Sequence, residues 1–372
     1  MEEKLGQPKC LNPNEELSIQ IGIASTDEEK KEIFRLRYRI YVEEMQRQPI
    51  MIDHANKLLF DEMDSWATLV YAKVGSELIG TMRANIGSVD EFPPDLVRIL
   101  LMDKFRSFCH ENSLLVAFSS KLMVSKQYRH STASHQLLAK GYEIYCNHHV
   151  QFNFGGCNFY LLRFYEQMGY RRLGKSFIDP GYGLLHPFIL VVDDVDYLKA
   201  VRSPYYRIAR KRVDLDKTSV NWFLKEFAGE AEIVNSQLVS EGELWRLICD
   251  RLGTTPAEAI YAFKGVSDMD LRTFFYRCAV VVQCHAGDLI TTRGLVSEEL
   301  NILLSGKLVN NGEEILQGQH FGSVGIVEPS IQTAEIEAIT PAEIIVVSRQ
   351  YFRKFSVSHP VASRKILTNI KI

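Results

Sequence analysis

The chain has 372 residues, a net charge of −3, 46% hydrophobic and 24% charged residues. That length predicts two domains rather than one core, and the near-neutral charge offers no field to draw nucleic acid, which excludes that partner as an expectation. Seven cysteines without a C-x-x-C pair read as reduced thiols, Met1 to Glu16 lacks the basic and apolar run of a signal peptide, and no window reaches about 18 uninterrupted apolar residues, so a cytoplasmic protein with no integral membrane segment is expected.

From Asp27 to Met45 apolar residues recur at helical spacing, with Ile33, Leu36, Ile40 and Tyr41 on one face and Thr26 or Asp27 as the cap. Ser65 to Lys73, a Gly75-Ser76 turn and Glu77 to Ala84 predict a hairpin. Pro93-Pro94 precede a helix from Asp95 to Cys109, and the apolar run Leu114 to Val124 predicts a central strand. Ser125 to His130 leads from it into a helix over Ser131 to Tyr145. Val150 to Phe154 is a short strand, Asn158 to Met168 a helix stopped by Gly169, and Tyr170 to Phe177 with Leu185 to Val192 a closing strand pair. Residues 17–200 thus form a mixed sheet with flanking helices. Between Lys199 and Lys217, seven basic residues face only Asp214 and Asp216. The strip reads as a solvated linker face, or as a dock for an acidic partner such as an acyl carrier protein. Residues 221–266 are helical in pattern, and 201–269 is taken as the linker. From Leu271 onward short β-type runs are spaced by Gly287, Gly294, Gly306, Gly312, Gly318 and Gly322, which predicts a small β-roll over 270–372. The fold class is α+β.

Several side chains carry chemical meaning. Arg37 falls on the apolar face between Ile33 and Tyr41, and a buried guanidinium needs a carboxylate, which Asp61 or Asp64 can supply. The turn from Val124 to Ser134 enters a helix whose free amides suit phosphates. His186 begins a late strand and is either a base near neutral pH or a structural histidine. Cys146, His148 and His149 make no metal site, because adjacent histidines diverge by about 100° on a helix and a fourth ligand is missing.

On these residues the first domain resembles the GCN5-related N-acyltransferase superfamily, whose phosphate loop runs Q/R-x-x-G-x-G/A. Arg129 fits the first position, while Thr132 and Ser134 stand where the pattern has small residues, and their Cβ atoms argue against ordinary acetyl-CoA use. The resemblance implies that Leu122, Val124, Arg129, Ser131, Thr132, Ala133, Ser134 and Asn158 hold the donor. Asn158 to Tyr170 is similar to the family's N-x-x-x-x-x-x-Y-x-x-x-G-F/Y helix, which implies that Tyr165 protonates the departing thiolate. Phe34 to Glu44, followed by Asp61-Glu62-Met63-Asp64 and Arg83, resembles the branch of N-acyl amino acid synthases and acyl-homoserine-lactone synthases. By that likeness Arg37, Tyr41, Asp61, Asp64 and Arg83 shape the acceptor side. Phe118 stands where lactone synthases carry a glutamate, which argues against lactone synthesis.

The second domain, from residue 270 to 368, resembles the cyclic-nucleotide-binding domain. That family's cassette reads F-G-E-x-A/S-L and then R-T/S-A, where this chain has Phe321-Gly322-Ser323 and Gln332-Thr333-Ala334. Each lost charge-assisted contact is worth roughly 1.5 to 3 kcal/mol, which disfavours a cyclic nucleotide and suggests a structural or dimerising barrel. The glycine amides leave room for another anion. The expected product is an N-acyltransferase moving a long acyl group from an acyl carrier protein or CoA thioester to an amino-acid or amine nitrogen, with no permanently bound cofactor and no metal. The rival readings are an acetyl-CoA-dependent N-acetyltransferase regulated by its C-terminal domain, and a non-catalytic ligand-binding regulator.

Overall fold

Ile19–Ile23 (β1) alternates isoleucine with Gln20 and Gly22 and pairs antiparallel with Thr68–Val74 (β2), Ile21 opposite Ala72. The computed structural model describes residues 18–370 apart from Gln48, Ile50, His130, Pro180 and residues 230–233, so His130 of the expected donor loop lies outside the described residues. β1 was not expected. It is a five-residue, half-exposed edge strand, too short for its alternation to stand out. The helix that follows spans Asp27–Tyr38, with Thr26 and Glu29 capping each other. Backbone hydrogen bonds from Ser25 and Thr26 hold the Glu29 carboxyl down at about 2. The α-helix stops short of the expected Met45. Arg39–Glu44 forms a wider turn, in which the Met45 N–H donates to the Ile40 carbonyl five residues back.

Glu77–Gly87 (β3), Val116–Val124 (β4), Phe152–Cys157 (β5), Arg171–Arg172 (β6), Phe177–Asp179 (β7) and Gly183–Val191 (β8) complete one sheet in the order β1-β2-β3-β4-β5-β8-β6, with β7 on β8. Every pair is antiparallel except β4 with β5. These two need a crossover, which the Ala133–Asn147 helix supplies. Their ladder holds only Val116↔Phe152, Ala117↔Asn153 and Phe118↔Phe154. Beyond it the strands part. On its other side β4 bulges, since Lys121 and Leu122 face the single residue Met82 between the pairs Thr81↔Met123 and Arg83↔Ser120. Two expected elements are broken. Asp95 to Cys109 becomes Pro94–Ile99, Met102–Phe105 and Arg106–Glu111, because Leu101 takes a left-handed φ of 55°. Tyr170 to Phe177 is interrupted between β6 and β7 at Gly174, φ 68°.

The Ala133–Asn147 helix packs on one face of the sheet through Leu137, Leu138 and Tyr142. The opposite face buries Phe105, Phe152 and Phe154 against Trp222, Phe223 and Phe227, so the Lys217–Glu226 helix of the expected linker is part of this layer. Glu241–Leu252 instead joins the second core, with Trp245 near Phe275. A third correction concerns Leu271 onward, where a helix spans Asp268–Cys278 in place of the first β-run. Ser267 caps it, and Leu271, Phe274, Phe275 and Cys278 fall on one helical stripe. The roll then follows as two four-stranded sheets and a two-stranded one, closed by helices Arg349–Ser358 and Pro360–Asn369.

The two domains share buried apolar contacts that run from Phe159 and Tyr160 to Val280, Val282 and Leu303. A polar clamp reinforces them. Arg163 donates to the carbonyls of Ala279 (3.2 Å) and Tyr276 (2.6 Å), and Arg172 to that of Val281 (2.7 Å). Glu166 holds Arg172 Nε at 2.8 Å and accepts the Ser236 N–H at 3.0 Å.

Candidate active site

The front of the sheet buries a chain of charges. Arg37, 0% exposed, donates through Nη1 to Asp64 Oδ1 at 2.8 Å. The second oxygen of Asp64 accepts the Asp61 N–H at 2.9 Å and lies 3.3 Å from Arg83 Nη1. Asp61 binds Arg83, which also donates to Ser120 Oγ at 2.9 Å. Of the two expected partners, Asp64 therefore takes Arg37 and Asp61 takes Arg83. Burial alone would raise the Asp61 pKa, but Arg83, Lys121 and Arg37 outweigh it and hold the carboxyl below its ordinary value.

Sequence reasoning missed the next group, centred on Lys121. This lysine sits in the β4 bulge with φ 55°. Its Nζ donates to the Tyr182 hydroxyl at 2.8 Å, lies 3.6 Å from Asp61, and faces the rings of Tyr182 (5.1 Å) and Tyr41 (5.7 Å). Arg47 lies over the same rings, at 4.8 Å and 5.6 Å, and donates to Asn158 Oδ1 at 3.1 Å. Asn158 in turn donates to the carbonyls of Tyr182 and Leu184. Tyr182 thus bridges β4 to the end of β5 just where the strands have parted. The one hint in the sequence was a lysine inside an otherwise uncharged strand. Tyr41 arrives by way of the wide turn, and burial raises its phenol to about 12.

The residues expected to hold the donor lie on β4 and at the start of the following helix. Leu122 and Val124 lie on β4, and Ser131, Thr132, Ala133 and Ser134 start the Ala133–Asn147 helix. Ser131 Oγ accepts the Ala133 N–H at 3.2 Å, and Thr132 Oγ1 accepts from Gln136 at 2.9 Å. Arg129 pairs with Glu44 at 2.6 Å and lies 4.0 Å from Glu298 of the roll. The basic strip sits at the far end of the same helix, where Arg212 pairs with Asp193 and touches Cys146, about 20 Å away along the helix axis.

Tyr165 stacks on Phe188 with ring centroids 4.4 Å apart. Burial, then the neighbouring Cys157, Tyr170, Tyr41 and Tyr160, raise its pKa well above the ordinary phenol value, so it holds its proton at any neutral pH. His186 is placed differently from a ready base. It is 5% exposed, its Nδ1 meets Ser176 Oγ at 3.0 Å, and its Nε2 has no partner among the described residues. Burial, then Arg172 and His285, push its pKa down to about 3, so it is neutral but a weak proton acceptor.

In the roll, Gln332 Oε1 accepts the Ser323 N–H at 2.8 Å, and Ser323 Oγ accepts the Thr333 N–H at 3.2 Å. Gly322, φ 71°, runs close beneath Gln332, while Phe321 is buried behind it. The cassette's own side chains thus occupy the Ser323 and Thr333 amides. Between the domains lies a cavity of about 50 Å³, room for a few waters, bordered by Arg47, Asn158, Tyr160 and Tyr182 on one side and Thr291, Glu299 and Gln332 on the other. Burial raises the Glu299 carboxyl to about 7. Among the described residues no group of three His, Cys, Asp or Glu could hold a metal, and no helix is long and apolar enough to cross a membrane.

Residues 32–191 match the family model described as N-acyl amino acid synthase FeeM. No curated protein matches the chain. Among solved structures, FeeM, an N-acyl amino acid synthase from uncultured soil microbes, is similar at 13% identity and TM-score 0.41, covering 51% of this chain and 97% of that one. A putative N-acetyltransferase from Lactobacillus plantarum is similar at 18% identity and TM-score 0.34, covering 47% and 98%. A putative cyclic nucleotide-binding protein from Geobacter metallireducens is similar at 17% identity and TM-score 0.27, covering 30% and 86%. Residues 32–191, less than half of the chain, are thus similar to the N-acyl amino acid synthase FeeM family, a match that supports an acyltransferase.

Proposed function

We propose that the enzyme moves a long acyl group from an acyl carrier protein or CoA thioester to the nitrogen of an amino acid or amine. The observation that supports this most is the parting of β4 from β5 after three residue pairs. Lys121 and Leu122 lie on β4 beyond that ladder, Asn158 follows β5, and Tyr165 stacks on Phe188 of β8. In the reaction the amine nitrogen attacks the thioester carbonyl, the C–N bond forms, and the C–S bond breaks. Tyr165 gives its proton to the departing sulfur, and the nitrogen sheds its own to water or to a base in the cleft. Burial keeps the Tyr165 phenol protonated, so the proton the departing sulfur needs is present before the reaction begins.

Thiol release from acetyl, long-chain acyl-CoA and acyl carrier protein donors tests this, together with mass spectrometry of lipids from expressing cells. New N-acyl amino acids or N-acyl amines, and a drop of about 10²-fold or more in Tyr165→Phe, are expected. Turnover with acetyl-CoA alone would favour an N-acetyltransferase, and none with any donor would favour a regulator. The roll is read as a barrel that takes no cyclic nucleotide, which the Gln332 contact with the cassette amide supports. Millimolar cyclic nucleotide should leave the melting temperature unmoved, and a shift would sink that reading.

A further inference from the structure

The attacking nitrogen has to lose a proton as its bond to the carbonyl forms, and the groups of the cleft itself are already engaged. Asp61 and Asp64 answer Arg83 and Arg37. Asp179 spends one oxygen on the Gly181 and Tyr182 amides. Lys121 donates to the Tyr182 hydroxyl and faces Asp61, surroundings that suit a cation. Burial raises the Tyr41 and Tyr182 phenols, which keep their own protons, and the His186 imidazole is too weak a base.

One carboxyl remains, and the other domain supplies it. Glu299 opens the strand Glu299–Ser305 of the roll and borders the cavity between the domains, which Asn158, Tyr160 and Tyr182 border from the transferase side. Its backbone is fixed by pairing with Ser348 and by the Gly325 N–H, which donates to its carbonyl at 2.9 Å. Its side chain is free to react. The neighbouring Glu298 lies 4.0 Å from Arg129 and 3.6 Å from Arg349, whereas Glu299 has no cation partner among the described residues. The Glu298 N–H at 3.4 Å and Asn301 Nδ2 at 3.5 Å meet its oxygens only at long range.

Tyr160 joins this carboxyl to the acid of the reaction. Burial raises the Tyr160 phenol, Arg47 and Arg129 lower it, Glu298 and Glu299 raise it, and Tyr160 is itself among the neighbours that raise Tyr165. The charges around Glu299 are thus Glu298 beside it, Arg47 across the cavity, and Arg129 and Arg349 beyond Glu298. Burial lifts its carboxyl to about 7, the two long contacts lower it too little to undo this, and the Glu298 charge adds to the rise. A carboxyl titrating near neutrality takes up and returns a proton at working pH.

We propose that Glu299, supplied by the roll, is the catalytic residue that accepts the proton of the attacking nitrogen. As the C–N bond forms, that proton passes to the Glu299 carboxylate, directly or over one water, for which the cavity has room. The C–S bond breaks and Tyr165 protonates the sulfur. Protonated Glu299 and the Tyr165 phenolate then exchange the proton through solvent, and both return to their starting forms. This rests on the acyl-transfer reading of the cleft. Glu299 lies outside residues 32–191, so the family match assigns it no role, and the proposal makes the roll part of the active site.

The test uses the full chain, long-chain acyl-CoA or acyl carrier protein as donor and a saturating amino-acid or primary-amine acceptor, with thiol release followed from about pH 5 to 9. Wild-type kcat should climb through a limb near pH 7. Glu299→Gln should lower kcat about 10²-fold or more and erase that limb, whereas Tyr165→Phe should lower kcat and keep it. An unchanged kcat in Glu299→Gln overturns the proposal, and so does a lower kcat with the limb intact, which marks a merely structural role. Should Glu299→Gln fail to fold, Glu299→Asp draws the carboxyl back by one methylene and should lower kcat while keeping a limb; an unchanged kcat there overturns the proposal equally. Turnover by wild type with any of these contrary results removes the base and leaves acyl transfer standing. No thiol release by wild type from any donor removes both.

Discussion

Asp64 answers two guanidiniums at once, with Arg37 on one oxygen and Arg83 beside the other, and its side chain is 3% exposed. Removing it leaves Arg37 buried and without a counter-charge. Asp64→Ala should therefore cost about 3 to 5 kcal/mol in urea unfolding, whereas Asp61→Ala, at a side chain 30% exposed, should cost less. Two other residues set opposite pH trends. His186 has its pKa lowered from 6.5 to about 3, so between those values the unfolded chain binds a proton that the native chain refuses, and stability falls as pH drops. Glu299 is raised from 4.5 to about 7, so the native chain keeps a proton that the unfolded chain has released, and stability falls as pH rises through that window. Urea midpoints from pH 4 to 8 should show Glu299→Gln gaining on wild type toward pH 8 and matching it near pH 4. His186→Gln should flatten the acid limb.

Among the elements, the meeting point of β4 and β5 decides the site. Gly155 lies there, and a Cβ would come within 3.2 Å of the Ser119 carbonyl and within 2.4 Å of the Phe188 ring. Gly155→Val should destabilise by about 1 to 3 kcal/mol and depress thiol release beyond what lost stability explains. The sequence made this sheet readable through its apolar runs, and the Arg37 pairing through a charge on a greasy face. It hid what depends on local departures from regular backbone. The bulge at Lys121 and the wide turn at Arg39–Glu44 have no periodic signature, yet they deliver Lys121 and Tyr41. Tyr182 and Arg47 were equally invisible, because their partners Lys121 and Asn158 are 61 and 111 residues away. The break at Leu101 came without a proline or glycine to announce it.

For the molecule as a whole, the shared apolar contacts and the Arg163, Glu166 and Arg172 clamp predict one cooperative unfolding transition by calorimetry, not two. Glu166→Ala should split or broaden it, since Arg172 and Ser236 both lose their acceptor. The clamp has a further property. It grips main-chain oxygens at Tyr276, Ala279 and Val281, which every amino acid there would present alike. The hold of the clamp therefore does not depend on which side chains the roll carries at those three positions, and the specificity of the seam falls to its buried apolar contacts.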